Sequence, residues 1–376
     1  MIFLHTSDWH LGAMGGERDL WDDQKYFIDA ICGIVREKRV DAVLLAGDVY
    51  DRSVPAASAI GLYDYAMNRL CGELGVKVLT IAGNHDSAER LASCAGLLDK
   101  AGLYLQGAAQ REPRVVEFAD SQVFFLPWIT EEKIKSLYPE ERDGITDLTE
   151  AYRVAVNHMR EKFIPGKHHL LLSHAFITNA ETSTSDRAAE IGFATQVPAS
   201  VFEGFDYVAL GHIHKPQQVS IFIRYSGSPM AYSFGREERQ EKSVTLIDTA
   251  AMTQQVVPLP LLHRWTTLTD SYEVLLAGEY PEEIREGYVR LNVTDTAVGL
   301  DMLSRLRQVY PNALVVAGKT YDGEDTTITL TMEQLEQMES DPAEVFKSFC
   351  REEMGQEATD HFLQLFARAV EEADAE

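Results

Sequence analysis

The stretch TIAGNHDSAE, Thr80–Glu89, continues the apolar run VKVL and then breaks it with a glycine, an amide, an imidazole and a carboxylate. Polar groups of this kind are costly to bury without partners, so Gly83–Asp86 is read as chain that leaves the core to line a site. The same break recurs along the sequence. MIFLHT runs into SDWH at Ser7–His10, DAVLLA into GDVYD at Gly47–Asp51, and DYVALGHIH ends in GHIH at Gly211–His214, while HHLLLSHA carries His174. Helix-like stretches at Leu20–Lys38, Pro55–Cys71 and Ser87–Ala101 follow the first three runs, and another at Leu148–Lys162 separates QVFFLPWI from HHLLLSHA. Strands alternating with helices predict an α/β layered fold. Polar loops beyond the carboxyl ends of strands are where such folds place their active sites.

The bulk of the chain agrees with a multi-domain globular protein. Its 376 residues predict about two or three domains, and an apolar content of 45% argues against disorder. No run approaches the ~18–20 apolar residues of a membrane span, so no membrane partner is expected. Cys32, Cys71, Cys94 and Cys350 are scattered and form no Cys-x-x-Cys pair, which reads as free thiols in a reducing compartment. MIFLHTSDWH enters a strand pattern with no basic leader, and a cytoplasmic protein is expected. The net charge of −25 weighs little against a phosphate-rich partner. Bound divalent cations invert the local field, and a partner subunit can supply a basic surface.

After Lys242 the pattern becomes β-rich and closes at VVPLPLLHRW, giving a first domain at 1–268. The strand YVRLNV, the helix GLDMLSRLRQVY and the strands NALVVAG and TTITLTM then form a small split βαβ-like α+β domain, 269–338. The tail, 339–376, opens with Asp341 as a helix cap and Pro342 at the first helical position. Phe346 and Phe349, then Phe362, Leu365, Phe366 and Val370, recur at helical spacing and predict two short amphipathic helices. AGKT at Ala317–Thr320 invites a phosphate-loop reading, but the leading glycine would fall at Ala313. It is read as a strand end, and no nucleotide is expected to bind this chain.

The loops carry the chemistry. They hold Asp8, His10, Asp48, Asp51, Asn84, His85, Asp86, His174, His212 and His214, and so collect five of the eleven histidines. Carboxylate, amide oxygen and imidazole without thiolate suit Mn²⁺, Fe²⁺ or Zn²⁺. There are too many donors for one ion and about enough for two, which at a separation of about 3.5–4 Å can share a carboxylate and clamp a phosphoryl oxygen. Gly47, Gly83 and Gly211 precede the donors and let the backbone turn and approach closely. His5 lies inside the first strand and reads as a satisfied core histidine. His158, His168, His169, His263 and His361 carry no motif.

The order Asp-x-His, Gly-Asp-x-x-Asp, Gly-Asn-His-Asp, His and Gly-His-x-His resembles the calcineurin-like metallophosphoesterase superfamily, with all five motifs in sequence across about the first 215 residues. That resemblance implies a two-sheet sandwich flanked by helices. It implies Asp8, His10 and His214 on one ion, Asn84, His174 and His212 on the other, and Asp48 as the bridge. His85 matches the family histidine that contacts the scissile phosphate and acts as a general acid, and Asp51 and Asp86 would orient imidazoles or the loop.

FLHTSDWHLG, AGDVYDRSVP, AGNHDS, YVALGHIHKPQ and YSGSPMAYSFGREE are similar to the SbcD family of bacterial nuclease subunits. The likeness implies a manganese-type DNA nuclease, a 3′→5′ exonuclease on duplex ends and an endonuclease on hairpins and single strands. It implies a homodimer through Pro55–Cys71 and Ser87–Ala101, joined to two copies of an SbcC-type ABC ATPase with coiled coils in a heterotetramer for DNA end processing, repair and recombination. The small domain would cap the site against DNA, and Phe346, Phe349, Phe362, Leu365 and Phe366 would dock on the ATPase. Arg18, Arg52, Arg187, Lys215, Arg236 and Arg239 lie near the motif loops as candidate contacts to DNA phosphates. A phosphoesterase acting on a small phosphate ester or cyclic nucleotide is the alternative, since the same loops serve both. The extension beyond the catalytic domain argues for the larger substrate.

Overall fold

Side-by-side pairing of the apolar runs builds the first sheet of the computed structural model, which describes residues 1–16, 18–186, 196–297, 300–319 and 327–331, and in the tail 346–347, 350, 358–359, 362–363 and 365–368. Its spatial order is Thr253–Pro258, Ser243–Asp248, Ile2–Thr6, Ala42–Leu45, Lys77–Ile81, Leu103–Gln106. The last four strands are parallel, with Phe3 opposite Ala42, Val43 opposite Val78 and Val78 opposite Leu103. The two strands after Lys242 close the other edge antiparallel. A parallel strand covered on both faces needs no polar alternation, which is why Ala42–Leu45 reads AVLL and is buried throughout.

The second sheet runs Gln217–Ser220, Ile223–Tyr225, Tyr207–Gly211, His168–His174, Ser121–Leu126, Val115–Glu117. Alternate side chains of the two sheets meet in one layer: Phe3, Leu44, Leu79 and Ile81 pack with Phe125, Leu170, Leu172 and Ala209. The intervening residues of the second sheet, among them Phe124, Leu126, Leu171 and Val208, turn the other way. There the helix Leu148–Arg160 covers them with Ala151, Tyr152, Ala155, Val156 and Met159. Asp147 starts that helix by accepting the Glu150 N–H at 2.9 Å, a cap of the kind that contributes about 1 kcal/mol. Helix Trp21–Lys38 buries a stripe of Phe27, Ile28, Ile31, Cys32 and Val35, with the Phe27 ring 5.7 Å from that of Trp9 just after Ile2–Thr6. The two-sheet sandwich flanked by helices is therefore present.

Two helices differ from the sequence pattern. Ser87–Ala101 is broken into the turns Ala88–Leu91 and Ala95–Leu98, because Cys94 between them takes a left-handed φ of 58° that interrupts the helical ladder. Pro55–Cys71 begins helically only at Ala57 and widens after Met67 into π-type turns over Asn68–Glu73.

The chain divides after Leu262, and Gly15–Arg18 groups with the later unit. This is earlier than the expected boundary at 268, because Trp265–Asp270 pairs in parallel with Tyr288–Ala297 and opens the second unit's sheet. Ala313–Lys319 and Thr327–Thr331 complete its four strands, and AGK is a strand end. Leu268, Leu275, Val289, Leu291, Leu303, Leu306 and Tyr310 form its core. In the tail, the Phe346 and Phe366 rings stack at 4.5 Å, while Phe362 and Leu365 are exposed. Phe349 lies outside the described residues. Among the described residues, no helix is long and apolar enough to cross a membrane.

Candidate metal centre

Both sheets of the first unit send loops to one place. Asp8 and His10 follow Ile2–Thr6, Asp48 follows Ala42–Leu45, and Asn84 and His85 follow Lys77–Ile81. His174 ends His168–His174, and His212 and His214 follow Tyr207–Gly211. Asp8, His10, Asp48 and His212 have φ of 54°, 41°, 49° and 101°, conformations that cost on the order of 1–3 kcal/mol each in a non-glycine residue. Backbone bonds impose them: Asp8 N–H donates to Gly47 O and His10 N–H to Asp48 O, each at 3.0 Å. Glycine is needed where the loops touch. A Cβ on Gly83 would stand 2.1 Å from Asp48 Oδ1, and one on Gly47 2.5 Å from His174 Nδ1.

The donors fall into two sets around Asp48. On one side, donor atoms of Asp8, His10 and His214 lie within 4.8 Å of one another, and the Nε2 atoms of His10 and His214 are 3.0 Å apart. On the other, Asn84 Oδ1 is 2.9 Å from His174 Nε2 and 3.0 Å from His212 Nδ1. Asp48 Oδ2 stands between, 3.4 Å from His174 Nε2 and 3.7 Å from His10 Nε2. Its other oxygen accepts the His85 N–H at 3.0 Å. Each set mixes both sheets. Asp8, His10, Asp48, His174, His212 and His214 are buried, whereas Asn84 and His85 are half-buried and mark the open side.

Electrostatics follow from this burial. Desolvation opposes charge on Asp48, but His174, His10 and His85 hold its carboxyl well below the usual range. Burial pushes the Asp8 carboxyl up to about 6, against the pull of His174 and His214. Burial keeps His10 far below its ordinary value and lowers His212 to about 3, so both present neutral lone pairs. Burial acts the same way on His174 and His214, yet Asp48 lifts the first and Glu237 and Asp186 the second, each to about 9. Oxygen and imidazole donors packed this closely, with the Nε2 atoms of His10 and His214 facing each other at 3.0 Å, are a chemistry that divalent cations complete.

The groups behind the donors fix their orientation. His174 Nδ1 donates to Ala46 O at 2.8 Å, which leaves Nε2 facing the centre. His212 stacks on Trp128 with ring centroids 5.1 Å apart. His214 Nδ1 faces Ser185 Oγ at 2.6 Å, Glu237 Oε1 at 3.5 Å and Asp186 Oδ1 at 3.7 Å. His85 Nδ1 donates to the Asp51 carbonyl at 2.8 Å, and the Asp51 carboxylate lies 3.8 Å from His10 Nδ1. Asp86 touches the backbone instead, accepting from Val49, Tyr50 and Gly83 N–H groups at 2.9–3.1 Å and so tying two loops together. His5 is a core residue, bonded to Tyr207 Oη at 2.9 Å and Leu210 O at 3.1 Å.

The candidate phosphate contacts are dispersed. Arg52, Arg236 and Arg239 are exposed, Lys215 pairs with Glu181, and Arg18 belongs to the second unit, over the Tyr288 ring at 5.7 Å. Arg187 lies outside the described residues. Trp128, Ser185, Asp186, Glu237 and Lys242 were missed by sequence reasoning. For Glu237 the YSGSPMAYSFGREE block was the available signal.

Residues 1–216 match the calcineurin-like phosphoesterase family, and residues 261–354 match the type 5 capsule protein repressor C-terminal domain. The SbcD subunit of the SbcCD nuclease from Staphylococcus epidermidis is 30% identical over 326 residues, covering 86% of this chain and 86% of its own. The protein of the same name from Staphylococcus saprophyticus is 28% identical over 325 residues, again covering 86% of each. Motif order, two-sheet sandwich and these likenesses agree: the chain belongs to the calcineurin-like phosphoesterase family and, within it, to the family of SbcD subunits.

Proposed function

We propose that this chain is a two-metal DNA nuclease subunit that works in the cytoplasm with an SbcC-type ABC ATPase. The observation that carries the reading is the convergence of Asp8, His10, His214, Asn84, His174 and His212 on the two sides of Asp48. In this reading Asp8, His10 and His214 hold one divalent ion, Asn84, His174 and His212 the other, and Asp48 both, with Mn²⁺ as the expected metal. The chemistry such a pair supplies when bound is charge neutralisation on the phosphoryl oxygens and activation of an attacking water.

The chain's own residues do the rest. The half-buried edge at Asn84 and His85 admits the phosphodiester. The Asp51 carbonyl anchors His85 through Nδ1–H and leaves Nε2 directed inward, 4.0 Å from Asp48 Oδ2. A proton carried at that Nε2 passes to the departing 3′ oxygen, the task of a general acid. Asp86 keeps the second and third loops in register, so His85 and Asp48 face the same phosphate. Action from 3′ ends of duplex DNA and on hairpins or single strands follows the family likeness. The second unit caps the DNA, and Arg18, Arg52, Arg187, Lys215, Arg236 and Arg239 supply phosphate contacts.

Homodimerisation through the segments after the second and third motifs is supported by apolar side chains left in solvent there: Val54 is 65%, Ile60 51% and Leu97 69% exposed. The tail, 339–376, docks on the ATPase, giving a heterotetramer.

The direct test is a labelled linear duplex with the purified protein and Mn²⁺. Shortening from the ends, abolished by chelator, supports the proposal. Turnover confined to a phenyl phosphate ester would replace it with the small-ester reading. Deleting 341–376 is expected to end co-purification of the ATPase while sparing Mn²⁺-dependent cleavage.

A further inference from the structure

We propose that Glu237, neutralised by Lys242, is a positioning residue that holds His214 with Nε2 turned into the metal centre; this rests on the metal-binding reading of His214. The side chains of Glu237 and Lys242 are both fully buried, with Lys242 Nζ 3.3 Å from Glu237 Oε1. A buried ion pair at best roughly matches an apolar pair in stability, so the fold alone gives little reason to keep one behind a ligand. Each end of the pair reaches His214.

Glu237 cannot turn away, because its Oε2 accepts the N–H groups of Tyr232 and Ser233 at 2.9 Å each and Ser233 Oγ at 3.1 Å. Its Oε1 is therefore the oxygen presented to both Lys242 and His214 Nδ1, 3.5 Å away. Lys242 Nζ donates to the backbone carbonyl of His214 at 3.2 Å, to Ser228 Oγ at 2.9 Å and to Gln240 Oε1 at 3.1 Å. The Ser228 N–H meets the same His214 carbonyl at 3.1 Å. Asp186 accepts the His214 N–H at 3.1 Å, and Ser185 Oγ sits 2.6 Å from Nδ1. Ring and backbone of one imidazole are thus gripped together: the Nδ1 edge meets Ser185 Oγ first, with the Glu237 and Asp186 carboxylates at 3.5 and 3.7 Å, while the Nε2 edge meets His10. A carboxylate behind a ligating histidine orients the ring and raises its basicity, and losing one lowers metal affinity about 10–100-fold.

The experiment is an Mn²⁺ titration of the full chain by calorimetry, with the electron paramagnetic resonance spectrum of the bound ions, on wild type, E237Q and E237Q/K242M. Removing both charges together is expected to leave the melting temperature near wild type while one of two ions weakens by about 10–100-fold and the spin-coupled pair signal is lost. The isosteric E237Q is expected to weaken the same ion. If E237Q/K242M binds both ions as wild type does, the pair serves only the fold and the inference is wrong. E237Q at wild-type affinity has the same meaning, and keeps the test decisive if the double variant does not fold. A wild-type chain that binds no Mn²⁺ would instead overturn the metal reading of the whole centre.

Discussion

The two sides of Asp48 look alike from the inside and differ behind. On the His214 side the imidazole rests on Glu237, Asp186 and Ser185. On the other side His174 rests on the neutral carbonyl of Ala46 and His212 on the flat face of Trp128. A carboxylate behind an imidazole raises its donor strength more than a carbonyl dipole does. The two candidate ion positions are matched in donors and unmatched in what stands behind them. The ion on the His214 side is expected to be the tighter one.

The largest effect should come from the residue the two sides share. Asp48→Ala is expected to reduce cleavage to background and leave neither ion bound tightly, checked by metal content after gel filtration. One ion kept at wild-type affinity would mean the sides are independent. His85→Leu should lower turnover by about 10²–10⁴-fold with both ions retained; losing an ion with the activity would make His85 a ligand instead. Single replacements then separate the sides. His174→Ala and His214→Ala should each cost one ion, and the ion left in His174→Ala should resist chelator longer. Equal dissociation rates in the two variants would erase the asymmetry.

The smallest effect is on stability against pH without metal. Folded His174 and His214 are raised to about 9 from an ordinary 6.5, so the folded state holds more protons in that window. The stability they contribute is full below pH 6.5 and is lost as pH rises through about 9. Asp8, raised to about 6 by burial, acts in the same direction at lower pH. His5, His10 and His212, lowered by burial, act in the opposite direction as pH rises toward 6.5, so the melting temperature of the metal-free protein should fall from about pH 7 to 9. Saturating Mn²⁺ should flatten or reverse that slope, because binding needs the imidazoles deprotonated.

The donors were legible because each is announced locally, by an apolar run that ends in a polar cluster, with a glycine just ahead of Asp48, Asn84 and His212. The alternation of runs and helices likewise gave the layered fold. Lys242 was not legible and Glu237 only through the block YSGSPMAYSFGREE that contains it, since in GREERQEK both look like solvated surface charge, and the fold that brings Tyr232 and His214 around them explains their burial. Asp186 is similar, reaching His214 across a long stretch of intervening sequence. The expected boundary at 268 cuts through Trp265–Asp270, WTTLTD, which pairs with Tyr288–Ala297, because its polar alternation names no partner strand. The helix over Ser87–Ala101 failed at Cys94, whose left-handed backbone has no signature in the residue type.

One feature of the sandwich reaches further than packing. Asn84 hangs from one sheet while His174 and His212 hang from the other, and the layer of Leu44, Leu79, Leu170 and Leu172 sets how far apart the sheets stand. That hydrophobic layer is in effect the spacer between the two groups of donors. Trimming a methyl group there, well below the loops, is expected to shift the distance between donors without altering any donor, so the spacing of the site is set from the interior of the protein.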